Sequence, residues 1–126
     1  TQGVKLNVTA LFTEDHIKNV FDSLNKSTDA IISIFAGRIA NAGIDPEPIM
    51  KYAVNLTKDY PNIEILWAST REVFNVIQAE RCGCDIITMT PSLIKAMDDI
   101  GKDLDEYSLD TVKMFYKDAT EAGFTF

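Results

Sequence analysis

The fold class is predicted most directly by Asp29-Ala30-Ile31-Ile32-Ser33-Ile34-Phe35, which is followed by Ala36-Gly37-Arg38. Its apolar run is too continuous for a strand that keeps one face in water. The stretch therefore predicts a strand that is covered on both faces, as the strands of parallel sheets are.

On either side of this strand, three further segments have the composition of strands, namely residues 4–12, 63–68 and 85–89. Apolar residues at helical spacing follow each strand. Capping residues and prolines predict the helix starts at Thr13, at Asp45 with Pro46, at Ser69 with Glu72 three residues later, at Thr90 with Pro91, and at Ser108. The predicted helix ends lie near Tyr60, near Glu80 and at Gly123.

Strands that alternate with helices predict a parallel sheet with right-handed crossovers. Four such βα units make half of a (β/α)8 TIM barrel, which takes about 250 residues when complete. The alternative is a small open doubly wound sheet. Either way, we expect one domain over residues 1–126.

The composition is typical of a soluble globular domain, with 46% hydrophobic and 25% charged residues. No apolar run approaches the roughly 20 residues of a membrane span, and the first residues do not have the pattern of a signal peptide. The net charge is −7, and the 12 Lys and Arg residues form no basic stripe that could neutralise nucleic-acid phosphates. We expect binding to neither membrane nor nucleic acid.

The two cysteines, Cys82 and Cys84, enclose a single glycine. This spacing fits neither a redox pair nor a zinc site, and we interpret it as a helix end followed by a strand start rather than as two neighbours on one strand face. His16 is the only histidine, which excludes a histidine triad, and we expect it to be solvated. No phosphate loop of the dinucleotide or NTPase type follows a strand. We expect a cytoplasmic protein without metal or cofactor.

Functional side chains of parallel α/β folds gather at the carboxyl ends of the strands. The residues in question are Asn7 and Thr9 on the first strand, Ser33, Phe35 and Arg38 at the second, and Ser69 and Arg71 after the third. Asn7 and Thr9 stand two positions apart, so their side chains face the same way.

Ser69 and Arg71 admit two interpretations. Ser69 is most simply a helix cap, but Arg71 in a first helical turn would oppose the macrodipole, which favours anions there. An arginine beside unpaired backbone N–H groups is better explained if an anion lies between them. Arg38, after a flexible Gly37 at the neighbouring strand end, would complete a phosphate clamp.

These strand ends resemble four successive motifs of the transaldolase family. The matching segments are Asn7-Val8-Thr9, Ser33-Ile34-Phe35-Ala36-Gly37-Arg38-Ile39, Ala68-Ser69-Thr70-Arg71 and Gly83-Cys84-Asp85-Ile86-Ile87-Thr88-Met89-Thr90-Pro91. The resemblance extends from Val4 to the last helix. It implies the C-terminal half of the barrel, strands five to eight, as in short transaldolases and fructose-6-phosphate aldolases.

The resemblance implies class I aldol chemistry, in which a lysine forms a Schiff base with a ketose phosphate and a dihydroxyacetone unit passes to an aldose phosphate. It implies site roles as follows: Arg38, Ser69 and Arg71 hold the phosphate, Thr9 positions a proton-relaying water, Asn7 assists in catalysis, and Asn7, Ser33 and Phe35 line the pocket.

The sequence departs from the family where the nucleophile is concerned. In the family the Schiff-base lysine lies on the fourth strand and the acidic groups lie on earlier ones, so the resemblance implies that all of them are missing here. Lys5 lies near the start of its strand, at the wrong end for the site. Glu72 follows Arg71 where an uncharged residue is common, and its carboxylate would repel a phosphate. The chain alone is expected to be inactive.

A half barrel would have unpaired first and last strands and an apolar inner face. We therefore expect completion by a second copy of the chain or by a separate N-terminal half. Two other interpretations stay open: a non-catalytic module that keeps only the phosphate clamp, and an unrelated small α/β interaction domain.

Overall fold

The computed structural model describes residues 5–123. Within this range the strands are β1 (Leu6–Leu11), β2 (Ala30–Ile34), β3 (Ile63–Trp67) and β4 (Ile86–Ile87). The helices are α1 (Glu14–Ser23), α2 (Ala36–Asn41), α3 (Glu47–Thr57), α4 (Phe74–Cys82), α5 (Pro91–Ala96) and α6 (Leu104–Glu121), with a 3-10 turn at Met97–Asp99. Val4, the first residue of the predicted first strand, lies outside the described residues.

The chain divides into two compact units between Ala96 and Met97. The first carries the sheet and α1 to α5, and the second carries the 3-10 turn and α6. The single-domain interpretation of residues 1–126 stays a prediction. Among residues 5–123, no helix is both long and apolar enough to cross a membrane.

The four strands form one parallel sheet in the order β1-β2-β3-β4. Ile32 of β2 is in register with Val8 of β1 and with Ile65 of β3. A doubly wound sheet reverses its strand order at a switch point, whereas this order follows the chain without reversal. The arrangement confirms four parallel βα units, consistent with half of a TIM barrel, while their numbering as strands five to eight stays a prediction.

The apolar core lies between the sheet and its covering helices. Its fully buried large side chains come from two strands and two helices: Ile32, Ile34, Ile65, Trp67, Ile17 and Met50. Residues that alternate with the buried strand positions lie on the other sheet face, where Asn7, Ile31 and Glu64 are in register. The polar residues singled out on β1 and β2 therefore lie on the face opposite the core.

Two predicted helix caps are confirmed, and the third lies one residue too early. The Thr13 hydroxyl accepts a hydrogen bond from the His16 N–H at 3.1 Å and caps α1. The Thr90 hydroxyl accepts from the Leu93 N–H at 3.3 Å and caps α5. Asp45 was predicted to cap α3 with Pro46 as the first helical residue, but Pro46 precedes the helix, and the Asp45 carboxylate accepts from the Glu47 N–H at 3.0 Å in the turn before it. Each of these caps depends only on residues within one turn, and such signals are legible in sequence.

The prediction that Ser69 and Glu72 open a helix is wrong. The helix α4 begins at Phe74, and both residues precede it. Ser69 has φ 63°, in the left-handed region, whereas a capping residue is extended. Arg71 consequently lies before the helix, not in its first turn.

The predicted start of the last helix at Ser108 is also wrong. The helix α6 begins at Leu104, and the Asp103 carboxylate accepts from the Glu106 N–H at 3.0 Å. Asp103 followed by acidic residues is itself a capping pattern, and it lies upstream of the serine. Gly123 adopts φ +88° as expected for a helix stop, two residues after the last helical residue.

The short helix α2 follows β2 where the sequence predicts only a loop. Gly37 is one of its residues, and glycine inside a helix carries a low propensity that hides the helix in sequence. The predicted strand over residues 85–89 is shorter in the structure, since only Ile86–Ile87 pair with β3. Cys82 ends α4 and Cys84 precedes β4, so the predicted helix end at this pair is confirmed.

Candidate functional site

The ends of β2 and β3 are joined by a close backbone approach. The Gly37 N–H donates to the Ala68 carbonyl at 3.3 Å. A Cβ atom on Gly37 would lie only 1.5 Å from the Ser69 carbonyl oxygen, so no side chain fits there. The sequence suggests flexibility at Gly37, but the structure shows that glycine is needed because the backbone of the next strand end occupies the space of a Cβ.

Backbone strain marks the ends of two strands. Ser69 directly follows Ala68 at the end of β3, and Ala10 lies near the end of β1; each has φ 63° without being glycine. The register between β1 and β2 shifts between Val8 and Leu11, which is a bulge around Ala10. Such conformations cost about 1–3 kcal/mol each and are concentrated at functional sites.

A cleft of about 290 Å³ lies at the carboxyl ends of β3 and β4. Its lining residues are mostly hydroxyl-bearing: Ser69, Thr70, Arg71, Thr88, Met89 and Thr90. Arg71 is the one charged residue among them, and among residues 5–123 it forms no ion pair. The Arg71 guanidinium and the hydroxyl groups of the lining residues can all donate hydrogen bonds, and phosphate and carboxylate groups accept them.

Thr70 has an unsatisfied hydroxyl group. Its Oγ1 atom is buried and has no hydrogen-bond partner among the described residues, although the residue lines the cleft. Buried hydroxyl groups almost always have partners, so an unpaired one at a cleft favours a bound ligand there. Thr70 lies within the motif Ala68-Ser69-Thr70-Arg71, but the family resemblance assigns it no role.

The structure brings together two of the three predicted phosphate residues. Ser69 and Arg71 share the cleft, whereas Arg38 lies on α2, exposed, and does not line it. Arg38 is nevertheless the residue after Gly37, which contacts Ser69. The three residues therefore lie at the same end of the sheet, the carboxyl ends of β2 and β3, although Arg38 is not one of the residues that line the cleft.

The remaining predicted site residues do not line this cleft. Thr9 is exposed, and its hydroxyl lies 3.5 Å from the hydroxyl of the buried Ser33, so the two side chains share a sheet face. Asn7 is exposed two residues earlier on β1. The half-buried ring of Phe35 packs against Phe12, with 5.9 Å between ring centroids.

Asn75 contributes to the site although the sequence did not predict it as a site residue. Its Oδ1 atom accepts from the backbone N–H groups of Arg71 at 2.9 Å and Glu72 at 3.1 Å. Asn75 is the second residue of α4 and binds N–H groups upstream of the helix, whereas a capping residue precedes its helix and binds N–H groups within it. A capping pattern therefore does not predict this role of Asn75.

Asn75 is in turn anchored to a charged pair. Its Nδ2 atom donates to Gln78 Oε1 at 2.8 Å, and Gln78 Nε2 donates to Glu47 Oε2 at 3.0 Å. Arg81 binds the Glu47 carboxylate with two nitrogens, at 2.7 and 3.3 Å. The hydrogen bonds from Arg81 and Gln78 lower the pKa of Glu47, so this carboxylate is ionised at neutral pH.

The cysteines are poor candidates for nucleophiles. Burial raises the pKa of the Cys84 thiol to about 12, and burial is also the main cause that raises the pKa of Cys82. Both thiols are protonated at neutral pH, and the thiolate is the reactive form. Among the described residues, no cluster of three or more His, Cys, Asp or Glu could hold a metal ion.

Comparisons with a family model and with individual proteins all point to the same family. The model of the family described as transaldolase/fructose-6-phosphate aldolase matches residues 1–126. A protein named probable transaldolase from Nitrosopumilus maritimus is 29% identical over 99 residues, which cover 77% of this chain and 43% of that protein. Probable transaldolases from Paracoccus denitrificans and a Ruegeria species are 31% and 30% identical over 90% and 96% of this chain, and each is covered to 52%. The chain spans about half the length of the curated relatives it matches.

Proposed function

The chain belongs to the transaldolase/fructose-6-phosphate aldolase family, and from this premise we propose that it supplies the phosphate-binding half of a transaldolase-like aldol-transfer site. The observation that carries the proposal is the cleft in which Ser69 and Arg71 meet at a strand end. Arg71 lines the cleft with no ion pair among the described residues, which leaves its guanidinium available to an anion.

The proposed substrate is a sugar phosphate. Arg71 and the Ser69 hydroxyl would bind the phosphate directly, and Arg38 would add charge from the neighbouring strand end. Asn7, Ser33 and Phe35 would line the part of the pocket that holds the sugar. Thr9 would position a water for proton transfer, and its hydroxyl contact with Ser33 at 3.5 Å supports a shared polar surface on that sheet face.

We propose that the Schiff-base lysine and the acidic groups are supplied from outside these 126 residues. None of the residues that line the cleft is a lysine. Lys5 lies at the amino end of β1, whereas the cleft lies at the carboxyl ends of the strands. Its Nζ atom forms an ion pair with Glu64 Oε1 at 3.0 Å. A nucleophilic lysine must reach the carbonyl carbon of the sugar, and Lys5 lies at the wrong end of its strand to do so.

The proposed partner for the catalytic function is an N-terminal half, which would complete the barrel and supply the lysine and the acidic groups. A second copy of the chain would complete a barrel with two phosphate clamps and no nucleophile, so it fits only a binding module without catalysis. Among the described residues, β1 and β4 each pair with only one neighbour. Unpaired strand edges bind other strands readily. A cytoplasmic location remains a prediction.

A second candidate function is a sugar-phosphate-binding module without catalysis. The observation in its favour is that the cleft contains an anion-binding group but no lysine. The two functions differ in what happens when the partner segment is present, since only an aldolase then forms a covalent adduct.

We expect the chain alone to bind fructose 6-phosphate and to remain unmodified when borohydride is added. Borohydride reduces a Schiff base to a stable amine, so mass spectrometry would detect any lysine that reacts. Titration followed by NMR measures the binding, with fructose as the control that lacks a phosphate. A covalent adduct would overturn the proposal that the nucleophile is supplied from elsewhere, and the absence of binding would overturn the phosphate clamp.

Thr70→Val is expected to weaken binding of inorganic phosphate by about 3- to 10-fold, because the unpaired hydroxyl would donate to the anion. The free energy of unfolding should be unchanged or slightly increased, since an unsatisfied buried hydroxyl is removed. Thr57→Val is the matched control, because the buried Thr57 hydroxyl already donates to the Ala53 carbonyl at 3.0 Å. That variant should lose stability and keep its phosphate affinity; equal affinity in wild type and Thr70→Val would show that the Thr70 hydroxyl contacts no ligand.

A further inference from the structure

We propose that Asn75 is a positioning residue of the cleft: its side-chain amide fixes the backbone of Arg71 and Glu72 and thereby directs the Arg71 guanidinium towards the bound phosphate. The inference rests on the proposed function, since phosphate is the ligand that Arg71 would bind. Asn75 is not among the residues that line the cleft, so it acts through Arg71.

The contact with the Arg71 segment is made by a single buried oxygen. Asn75 is 7% exposed, and its Oδ1 atom accepts both the Arg71 N–H at 2.9 Å and the Glu72 N–H at 3.1 Å. An amide oxygen has two lone pairs, so both are used. Because one acceptor holds two adjacent peptide groups, neither group can rotate freely. The backbone before α4 is therefore fixed at Arg71, whose side chain lines the cleft.

The orientation of the Asn75 amide is itself determined. Its Nδ2 atom donates to Gln78 Oε1 at 2.8 Å. If the amide were flipped, its NH2 group would face the N–H groups of Arg71 and Glu72, and its oxygen would face the oxygen of Gln78. Gln78 is oriented in the same way, because its Nε2 atom donates to Glu47 Oε2 at 3.0 Å. The Arg81 guanidinium holds this carboxylate through two bonds, so the network extends from α4 to α3.

Arg71 needs such support because little else restrains it. Its side chain is exposed and forms no ion pair among residues 5–123. A long unrestrained side chain loses conformational entropy when it binds, and a fixed backbone reduces the part of this loss that comes from the main chain. The network that ends at the buried Asn75 thus holds the backbone of the exposed arginine in place before its ligand binds.

The test compares Asn75→Ala, Asn75→Asp and Gln78→Leu with Asn55→Ala, an exposed asparagine on α3. Amide hydrogen exchange of Arg71 and Glu72 reports whether the segment is held, and NMR titration with inorganic phosphate reports the affinity. In Asn75→Ala both amides should exchange at least about 10-fold faster and phosphate should bind about 10-fold more weakly, because two hydrogen bonds are lost. Asn75→Asp keeps the acceptor but loses the donor to Gln78, so both amides should exchange more slowly than in Asn75→Ala without reaching the wild-type rate. Gln78→Leu should lie between Asn75→Ala and wild type, and Asn55→Ala should match wild type.

Wild-type exchange rates and affinity in Asn75→Ala would overturn the proposal. Should circular dichroism show that Asn75→Ala is unfolded, Gln78→Leu decides the matter, since wild-type exchange and affinity in that variant would overturn it equally. A wild-type chain that binds no phosphate would overturn the proposed function, whereas the exchange rates would still decide whether Asn75 holds the Arg71 segment.

Discussion

Replacing Gly37 by alanine is expected to destabilise the chain by about 3 kcal/mol, at the upper end of the usual cost of overpacking. The new Cβ atom would lie 1.5 Å from the Ser69 carbonyl oxygen, a backbone atom that cannot move out of the way by a rotamer change. Either α2 or the end of β3 must shift to accommodate it. Urea-induced unfolding followed by far-UV circular dichroism measures the change.

The sign of this effect is opposite to the one that helix propensity predicts. Gly37 lies within α2, and alanine in place of a helical glycine ordinarily stabilises by about 1 kcal/mol. The steric conflict with Ser69 outweighs this gain. Because Ser69 lines the cleft, the shift should also weaken phosphate binding in whatever fraction of the variant stays folded.

Gly43→Ala is the matched control for this experiment. Gly43 has φ +80°, and a Cβ atom there would meet nothing within 4 Å. Its replacement should cost only the strain of a left-handed alanine, about 1–2 kcal/mol, and should leave phosphate affinity unchanged. If Gly37→Ala proved as stable as wild type, the close approach of α2 to the end of β3 would be contradicted.

Replacing Arg71 by alanine is expected to weaken the binding of fructose 6-phosphate by about 10- to 100-fold, since a hydrogen bond to a charged group contributes about 1.5–3 kcal/mol. Arg71 is the only charged residue among those that line the cleft, so no other lining residue can replace its charge. The fold should be unaffected, because the side chain is exposed and makes no ion pair within residues 5–123. Isothermal titration calorimetry at fixed salt measures the affinity.

Three companion variants separate charge from geometry. Lys58→Ala removes the same charge from an exposed position at the end of α3 and should change affinity little, since solvent and salt screen distant charges. Arg71→Lys keeps the charge without the planar fork and should fall between alanine and wild type. Arg38→Ala should have a smaller effect than Arg71→Ala, because Arg38 does not line the cleft. Equal losses from Lys58→Ala and Arg71→Ala would point to net charge alone and would contradict a specific clamp.

Much of the fold could be predicted from local patterns. The apolar run around Ile32 identified a buried strand, and Thr13 and Thr90 cap their helices through contacts with residues three positions away. These features depend on side-chain periodicity and on nearby backbone groups, both of which are written in the sequence. The family resemblance that the strand ends carried was confirmed by the match over residues 1–126.

The site was predicted less completely because its geometry depends on contacts between distant segments. Ser69 has the residue type of a cap, yet its left-handed φ accompanies the packing of Gly37 against its carbonyl group, 32 positions away in the chain. The helix α4 therefore begins at Phe74, and Asn75 holds the Arg71 segment that precedes it. Arg38 and Arg71 looked equivalent in sequence, but only Arg71 lines the cleft.

The strand positions, the caps at Thr13 and Thr90 and the family resemblance of the strand ends were therefore predictable from the sequence, because each of these depends on short-range patterns. Only the tertiary structure decided that the strand order runs without reversal, that Gly37 is needed for a close approach rather than for flexibility, and that Asn75 holds the Arg71 segment. The physical reason is that steric exclusion and buried hydrogen bonds between segments far apart in the chain exist only once the strands have paired.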